Sequence, residues 1–379
     1  TDAIYQPLAA RQTLNARHWE IQAAKNDALR QTTDAYFQVH HQRGTYAGTL
    51  YTVDRARKLV KQIQDLAGDL VPVYEVDRAR NMLADLEQVA VLARQEWRVQ
   101  SARLTRVLRL DPRAVVEPLE HDHVQITLID PARELDDLMP IALLNRPELA
   151  SRRALINAAQ IGIRQEKARP LLPIALLNGF QSPGGMLLQG GIFGIDPNSS
   201  LNQWRGRGDV SVQLIWQLEN FGFGNMARIK ARRGKESDAI IDFRNMQDQV
   251  VEDVTEAHAR LQSAAVRVVQ ADRSVRTGIV ALNGATEGLK QTSRFGDVLV
   301  LVSRPQEAIY ALQLFQKAID EYYATVADYN LAQFEMFHAL GYPASEISLN
   351  HPPGEVLPVD LSRPGYLPPV GQGPPPATR

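Results

Sequence analysis

Between residues 240 and 292 apolar and small side chains recur in steps of three and four: Ile240, Phe243, Gln247, Val250, Val254, Ala257, Leu261, Ala264, Val268, Ala271, Val275, Gly278, Leu282, Ala285, Leu289 and Thr292. A seven-residue repeat keeps one narrow stripe against a partner helix, so this spacing predicts a coiled-coil seam. Extended back to Asn225, the helix would be about 100 Å long at about 1.5 Å per residue. An earlier stretch, from about 9 to 70, carries the same frame. Leu14, Ile21, Ala28, Ala35, Gln42, Thr49, Ala56, Ile63 and Leu70 form one register, and Val39, Tyr46, Val53, Val60 and Ala67 the other. Before Val39 that second register reads Arg11, His18, Lys25 and Thr32, which makes this half of the seam polar. Gly68 to Pro72 should stop the helix, because glycine ends helices and proline cannot continue one. Returning helices are predicted from about 75 to 108, with Leu86, Val89, Ala93, Trp97 and Leu104 on one stripe, and from 304 to 341, with Leu312, Phe315, Ile319, Val326 and Met336 on another.

Between these helical pairs the period changes from seven to two. Val210, Val212, Leu214, Trp216 and Leu218 alternate with Ser211, Gln213, Ile215, Gln217 and Glu219. An alternation of this length fits a tilted membrane strand with a lipid side and a wet side. The first set is therefore the candidate lipid-facing row, and Ser211, Gln213, Gln217 and Glu219 are candidate lumen-facing residues. Residues 171–181 read as its partner strand and 182–208 as a Gly-rich loop, so 171–221 form a barrel hairpin. Two strands cannot close a barrel, and an open edge cannot sit in lipid, so identical subunits around an axis must supply other strands.

The organisation that follows has four parts. Residues 1–110 form a first repeat, with a descending helix, a tip turn near 68–72 and a returning helix. Residues 111–146 are an equatorial linker with prolines, acidic turns and a β-rich piece from Val124 to Ile129. Residues 147–341 form a second repeat: an ascending helix 147–169 opened by Pro147 and Glu148, the hairpin 171–221, a long helix 225–293, a tip 294–297 and a returning helix 304–341. Residues 342–379 are a Pro-rich tail. Pro7-Leu8-Ala9-Ala10-Arg11 parallels Gly224-Asn225-Met226-Ala227-Arg228, and Leu108-Arg109-Leu110-Asp111-Pro112 parallels Ala339-Leu340-Gly341-Tyr342-Pro343, which reads as an internal duplication. Its first ascending helix and most of its first hairpin are missing, so an N-terminally truncated chain is expected.

Composition narrows the function classes. Forty-two basic against 43 acidic residues leave a formal charge of −1. No global field favours nucleic acid, which is not expected as a partner. The absence of cysteine excludes disulfides and thiolate chemistry. No apolar run approaches the ~20 residues of a spanning helix, so a membrane crossing must use strands.

Candidate chemistry is sparse. Glu117, Glu120, His121, Asp122 and His123 have ligand chemistry, but a zinc site needs converging ligands, and a solvated acidic loop is the preferred reading. His40 and His41 are adjacent on a helix and point in different directions. Gly184-Gly185 and Gly190-Gly191 lack the strand and helix context of a nucleotide site, and Arg207-Gly208-Asp209 reads as a hairpin shoulder. With no nucleophile elbow, P-loop or HExxH spacing, no catalytic, cofactor or metal site is expected and the chain does not read as an enzyme.

The order of helix, strand hairpin, long descending helix, tip turn and returning helix, twice over, resembles the TolC-type outer-membrane efflux proteins. The likeness is carried by Ala142-Leu143-Leu144-Asn145-Arg146-Pro147-Glu148-Leu149, by Phe221-Gly222-Phe223-Gly224-Asn225, and by Asp328-Tyr329-Asn330-Leu331-Ala332-Gln333-Phe334 running into Ala339-Leu340-Gly341. It implies a mainly α fold of long antiparallel coiled-coil hairpins in two repeats, with a β-hairpin contributing to a trimeric outer-membrane β-barrel. It further implies a homotrimer in the outer membrane of a Gram-negative-type bacterium, with a helical tunnel in the periplasm. Such a duct passively exports small molecules, metals or proteins delivered by an inner-membrane pump and a periplasmic adaptor. Gly68, Leu70, Val71, Arg294, Gly296 and Asp297 become the candidate tip, adaptor-docking and gate residues. At the second tip the chain departs from the pattern, since Gly296-Asp297 precedes an apolar run from Val298 to Val302. The alternative reading is a soluble coiled-coil scaffold or a periplasmic adaptor without its own pore.

Overall fold

The computed structural model describes residues 2–68, 70–111, 113–121, 123–171, 174–178, 211–215, 222–295 and 298–343. Helices α1 (Asp2–Asp65), α2 (Val73–Leu108), α3 (Leu135–Asn145) and α4 (Pro147–Ala168) come first. Strands β1 (Ile174–Asn178) and β2 (Ser211–Ile215) follow, then α5 (Phe223–Gly288), strands β3 (Thr292–Phe295) and β4 (Val298–Leu301), and α6 (Pro305–Ala339). The fold is mainly α, built on two helices of 64 and 66 residues. Each strand pair is an antiparallel two-stranded sheet. Among the described residues no helix is long and apolar enough to cross a membrane.

The chain divides into two compact units, Thr1–Ile21 with Pro147–Asp248, and Gln22–Arg146 with Gln249–Arg379. In the first unit α4 begins with Pro147 and Glu148, a proline whose missing N–H costs nothing in a first turn and an acid that suits the positive end of the helix. Its packing partners include Glu20 of α1, which accepts from Ser151 at 3.4 Å, and Phe243 of α5, whose ring lies 5.5 Å from the Arg153 guanidinium.

In the second unit the seven-residue stripe of α5 is the buried one. Val250, Val254, Ala257, Leu261, Ala264, Val268 and Leu282 are all buried, as is Leu289 just past the helix end, while Glu252, Glu256, Arg260 and Arg267 are exposed. A core of Leu59, Ile63, Met82, Leu86, Leu282, Leu289, Leu312 and Phe315 joins α1, α2, α5 and α6. Each such side chain stabilises the unit by roughly 1.5–3 kcal/mol through its burial. The α1 frame splits: Thr49, Ala56 and Ile63 are buried, whereas Leu14, Ile21 and Ala28 in the same register are exposed.

Two stretches differ from the sequence expectation. Residues 135–145, placed in an irregular linker, are the helix α3, which buries Leu138 and Ala142 one turn apart and carries Asp136 and Asp137 in its first turn. The acids that suggested a turn stabilise a helix start instead. The long helix expected to reach 293 ends at Gly288, and residues 292–295 and 298–301 pair as antiparallel strands. The β-branched, apolar run after Asp297 has the propensity of a strand and pairs back on Thr292 to Phe295.

Candidate functional site

At the first tip α1 ends at Asp65 and the chain folds back within seven residues. Gly68 adopts φ +98°, a conformation that side chains oppose, and its N–H donates to the Val71 carbonyl at 3.0 Å. The amides of Leu70 and Val71 both return to the Leu66 carbonyl, at 3.2 and 3.1 Å. Val71 is buried in the core, Leu70 is half-buried, and Pro72 opens α2 from an extended backbone. Glu75, in the first turn of α2, is almost fully buried. It pairs with Arg78 at 2.9 Å and accepts from Gln306 of α6 at 2.9 Å, which ties the two tips together.

The second tip is clamped at its base. The Ser303 N–H donates to the Gly288 carbonyl at 3.2 Å and the Val302 N–H to the Gln291 carbonyl at 2.9 Å. A Cβ on Gly288 would lie 2.7 Å from the Ser303 Cβ, so the glycine permits this approach. Ser303 Oγ donates to Glu307 at 2.9 Å in the first turn of α6. Arg294 is exposed on β3 and registers with Leu299, and the hairpin closes between Phe295 and Val298. Gly296 and Asp297 lie outside the described residues.

In the other unit β2 supplies the centre of the predicted barrel strand. Val212 and Leu214 register with Leu177 and Ala175 of β1, and Ser211 and Gln213 with Asn178 and Leu176. Val210, Trp216, Leu218, Gln217 and Glu219 lie outside the described residues, as do the Gly-rich loop, the Arg207-Gly208-Asp209 shoulder and the tail from 344.

Four of the residues weighed as metal ligands have other contacts, and Asp122 lies outside the described residues. Glu117 accepts from Arg43 at 2.8 Å, and Glu120 accepts from the Tyr36 hydroxyl. Burial, with Glu120 beside it, pushes the Tyr36 phenol well above its ordinary range. His121 and His123 stack with ring centroids 5.5 Å apart. Among the described residues no group of three or more acids and histidines could hold a metal ion.

One arrangement had no counterpart in the sequence reading. The extended segment 124–129 pairs with no strand among the described residues and lies along α6, held by two side-chain amides. Asn330 accepts from the Ile126 N–H at 2.8 Å and donates to the Val124 carbonyl at 2.8 Å. Gln333 accepts from the N–H groups of Leu128 and Ile129, at 3.0 and 2.9 Å, and donates to the Ile129 carbonyl at 3.1 Å. Both amides are fully buried, where an unmet backbone group would be costly. The two amides do not stand out in the sequence, because α6 also buries Gln316 and Thr325 on its inner face. Beyond them Gly341, at φ +73°, crosses the end of α3 so closely that a Cβ would lie 2.8 Å from the Arg146 nitrogen. Two of the sequence stretches that carried the resemblance, 142–149 and 339–341, thus meet here. Arg146 is buried and ion-paired with Asp253.

No protein-family model matches the chain, and no curated protein matches its sequence. Solved structures do match. The outer-membrane channel OprN superposes with a TM-score of 0.69 at 15% identity over 88% of this chain and 70% of its own. The outer-membrane protein VceC of Vibrio cholerae gives 0.67 at 16%, over 88% and 74%. The open state of the MtrE outer-membrane channel of Neisseria gonorrhoeae gives 0.68 at 15%, over 88% and 70%.

Proposed function

We propose, from the TolC-type fold that this chain shares with those channels, that it is the outer-membrane exit duct of a tripartite efflux or type I secretion system. The observation that carries the reading is the pairing, in one chain, of an alternating strand hairpin with two helices of more than 60 residues whose seven-residue seam is buried in α5 and in the latter part of α1. The alternation of 210–218 together with the Gly-rich hairpin argues against a soluble scaffold or adaptor. On this reading the chain assembles as a homotrimer, places 171–221 in the outer membrane and extends its helices into the periplasm. It passively carries small molecules, metals or proteins handed on by an inner-membrane pump and a periplasmic adaptor. Gly68, Leu70, Val71, Arg294, Gly296 and Asp297 would form the adaptor-facing mouth, where three copies of Asp297 add negative charge in a confined space.

The test is assembly in the outer membrane, read as heat-modifiable migration of the full-length protein in membrane fractions. Leu214→Arg should impair it, since a cation on the lipid face of a strand costs about 2–4 kcal/mol near the bilayer midplane. Gln213→Arg should be milder, and equal defects would refute the face assignment. Absence of the wild-type protein from outer-membrane fractions would favour the soluble scaffold.

A further inference from the structure

The sign of charge along α5 reverses within one unit. From 222 to 235 it carries Arg228, Lys230, Arg232, Arg233 and Lys235 and no acid, whereas from 236 to 248 it carries Glu236, Asp238, Asp242 and Asp248 against Arg244 alone. The C-terminal turns of α4 add Arg164 and Lys167, and Arg169 follows directly. A single buried carboxylate gathers the two helix ends: Glu166 meets Arg169 at 3.2 Å, Arg232 at 3.4 Å and Arg228 at 3.5 Å. Asp2 of α1 pairs with Arg169 at 2.9 Å. Three guanidiniums therefore share two acids, and Arg164, Lys167, Lys230, Arg233 and Lys235 stand exposed around them. Helix stability does not account for the pattern, because the N-terminal end of α5 favours anions and its first turn holds none. Next along the chain toward the strands come exposed apolar side chains, Leu171 before β1 and Phe223 and Met226 after β2, with 76%, 74% and 67% of their surface open. Strand, apolar fringe and then cations is the order of a membrane–water interface.

We propose that this collar binds the phosphate headgroups of an anionic bilayer leaflet. Arg164, Lys167, Lys230, Arg233 and Lys235 meet the phosphates, and Leu171, Phe223 and Met226 enter the acyl boundary. The inference rests on the reading that β1 and β2 belong to an outer-membrane barrel, and it adds that the periplasmic leaflet must be anionic for full anchoring.

Flotation of the purified full-length protein with phosphatidylcholine vesicles, and with vesicles that also contain phosphatidylglycerol, tests it. The wild type should favour the anionic vesicles, and the preference should fall as salt is added. The triple variant Lys230→Gln, Arg233→Gln, Lys235→Gln should lose about fivefold in that preference per charge, roughly a hundredfold in all, with binding to neutral vesicles unchanged. A control triple at exposed cations of the other unit, Lys61→Gln, Arg94→Gln, Arg98→Gln, should keep the preference. Equal wild-type binding to both vesicle types, or equal losses from the two triples, overturns the collar and leaves the channel reading standing. No binding to either vesicle overturns both.

Discussion

Two glycines of positive φ separate backbone strain from steric approach. A Cβ on Gly68 would meet nothing within 4 Å, whereas one on Gly341 would press on the Asn145–Arg146 backbone at 2.8–2.9 Å. Gly68→Ala should therefore cost only the left-handed conformation, about 1–2 kcal/mol. Gly341→Ala adds overpacking and should cost about 3 kcal/mol or more. Denaturant unfolding of the two variants checks the difference, and equal losses would mean that α3 yields freely. At the same scale, His41 and His338 are shifted below the ordinary value of 6.5, chiefly by burial. Asp328 opposes the shift at His41, and the hydrogen bond to Asp27 at 2.9 Å opposes it at His338, where Arg146 adds to the lowering. Above pH 6.5 both rings are neutral whether folded or not. Below it the unfolded chain binds protons that the folded chain refuses, so stability falls on acidification. The double variant His41→Gln, His338→Gln should lose less melting temperature than the wild type between about pH 7 and pH 5. A fall of equal size would show that other groups govern the acid limb.

Among the elements, α6 serves as a surrogate strand. Asn330→Ala would leave the half-buried amide of 126 without its acceptor, and Gln333→Ala those of half-buried 128 and buried 129, at a cost of about 1–3 kcal/mol. Hydrogen exchange at those three amides should accelerate in the matching variant, and unchanged protection would refute the clasp. Because the grip is on main chain, the side chains of 124, 125, 126 and 128 should be more replaceable than buried Ile129 or than Thr127, whose hydroxyl meets that of Tyr329 at 2.9 Å, while proline at 126, 128 or 129 is not tolerated. The α5 seam makes a second demand. Val268→Asp or Leu282→Asp desolvates a carboxylate with no counter-ion and should lower the yield of folded protein, while Arg273→Ala and Glu287→Ala on the exposed face should change little. Equal yields would remove the coiled-coil account. The seam was legible in the sequence because a period repeated over about seven heptads leaves few other readings. Helix α3 was not, since Pro140 and two acids look like a turn until Leu138 and Ala142 find a surface. The tip hairpin was half legible: the run from Val298 to Val302 marked a departure, but its pairing depends on the base formed by Gly288 and Ser303. The clasp was illegible because Asn330 and Gln333 answer a segment some 200 residues earlier in the chain.

For the molecule as a whole, the sequence carried the order of elements, and the likeness to solved channels rests on that order rather than on shared residues, at 14–16% identity. The divided α1 frame has a further outcome. Leu14, Ile21 and Ala28 continue a register that is buried from Thr49 onward, yet they lie open, as do Val91, Leu92 and Val99 of α2. In the proposed trimer neighbouring copies would cover such rows, and folding and association would become one equilibrium governed by mass action. The melting temperature should then be no constant of the chain. It should climb with protein concentration, as a partner present at a hundred times its dissociation constant adds about 2.7 kcal/mol. A melting temperature that stays level across a hundredfold dilution in detergent would mean that the open rows of α1 and α2 are indifferent to company.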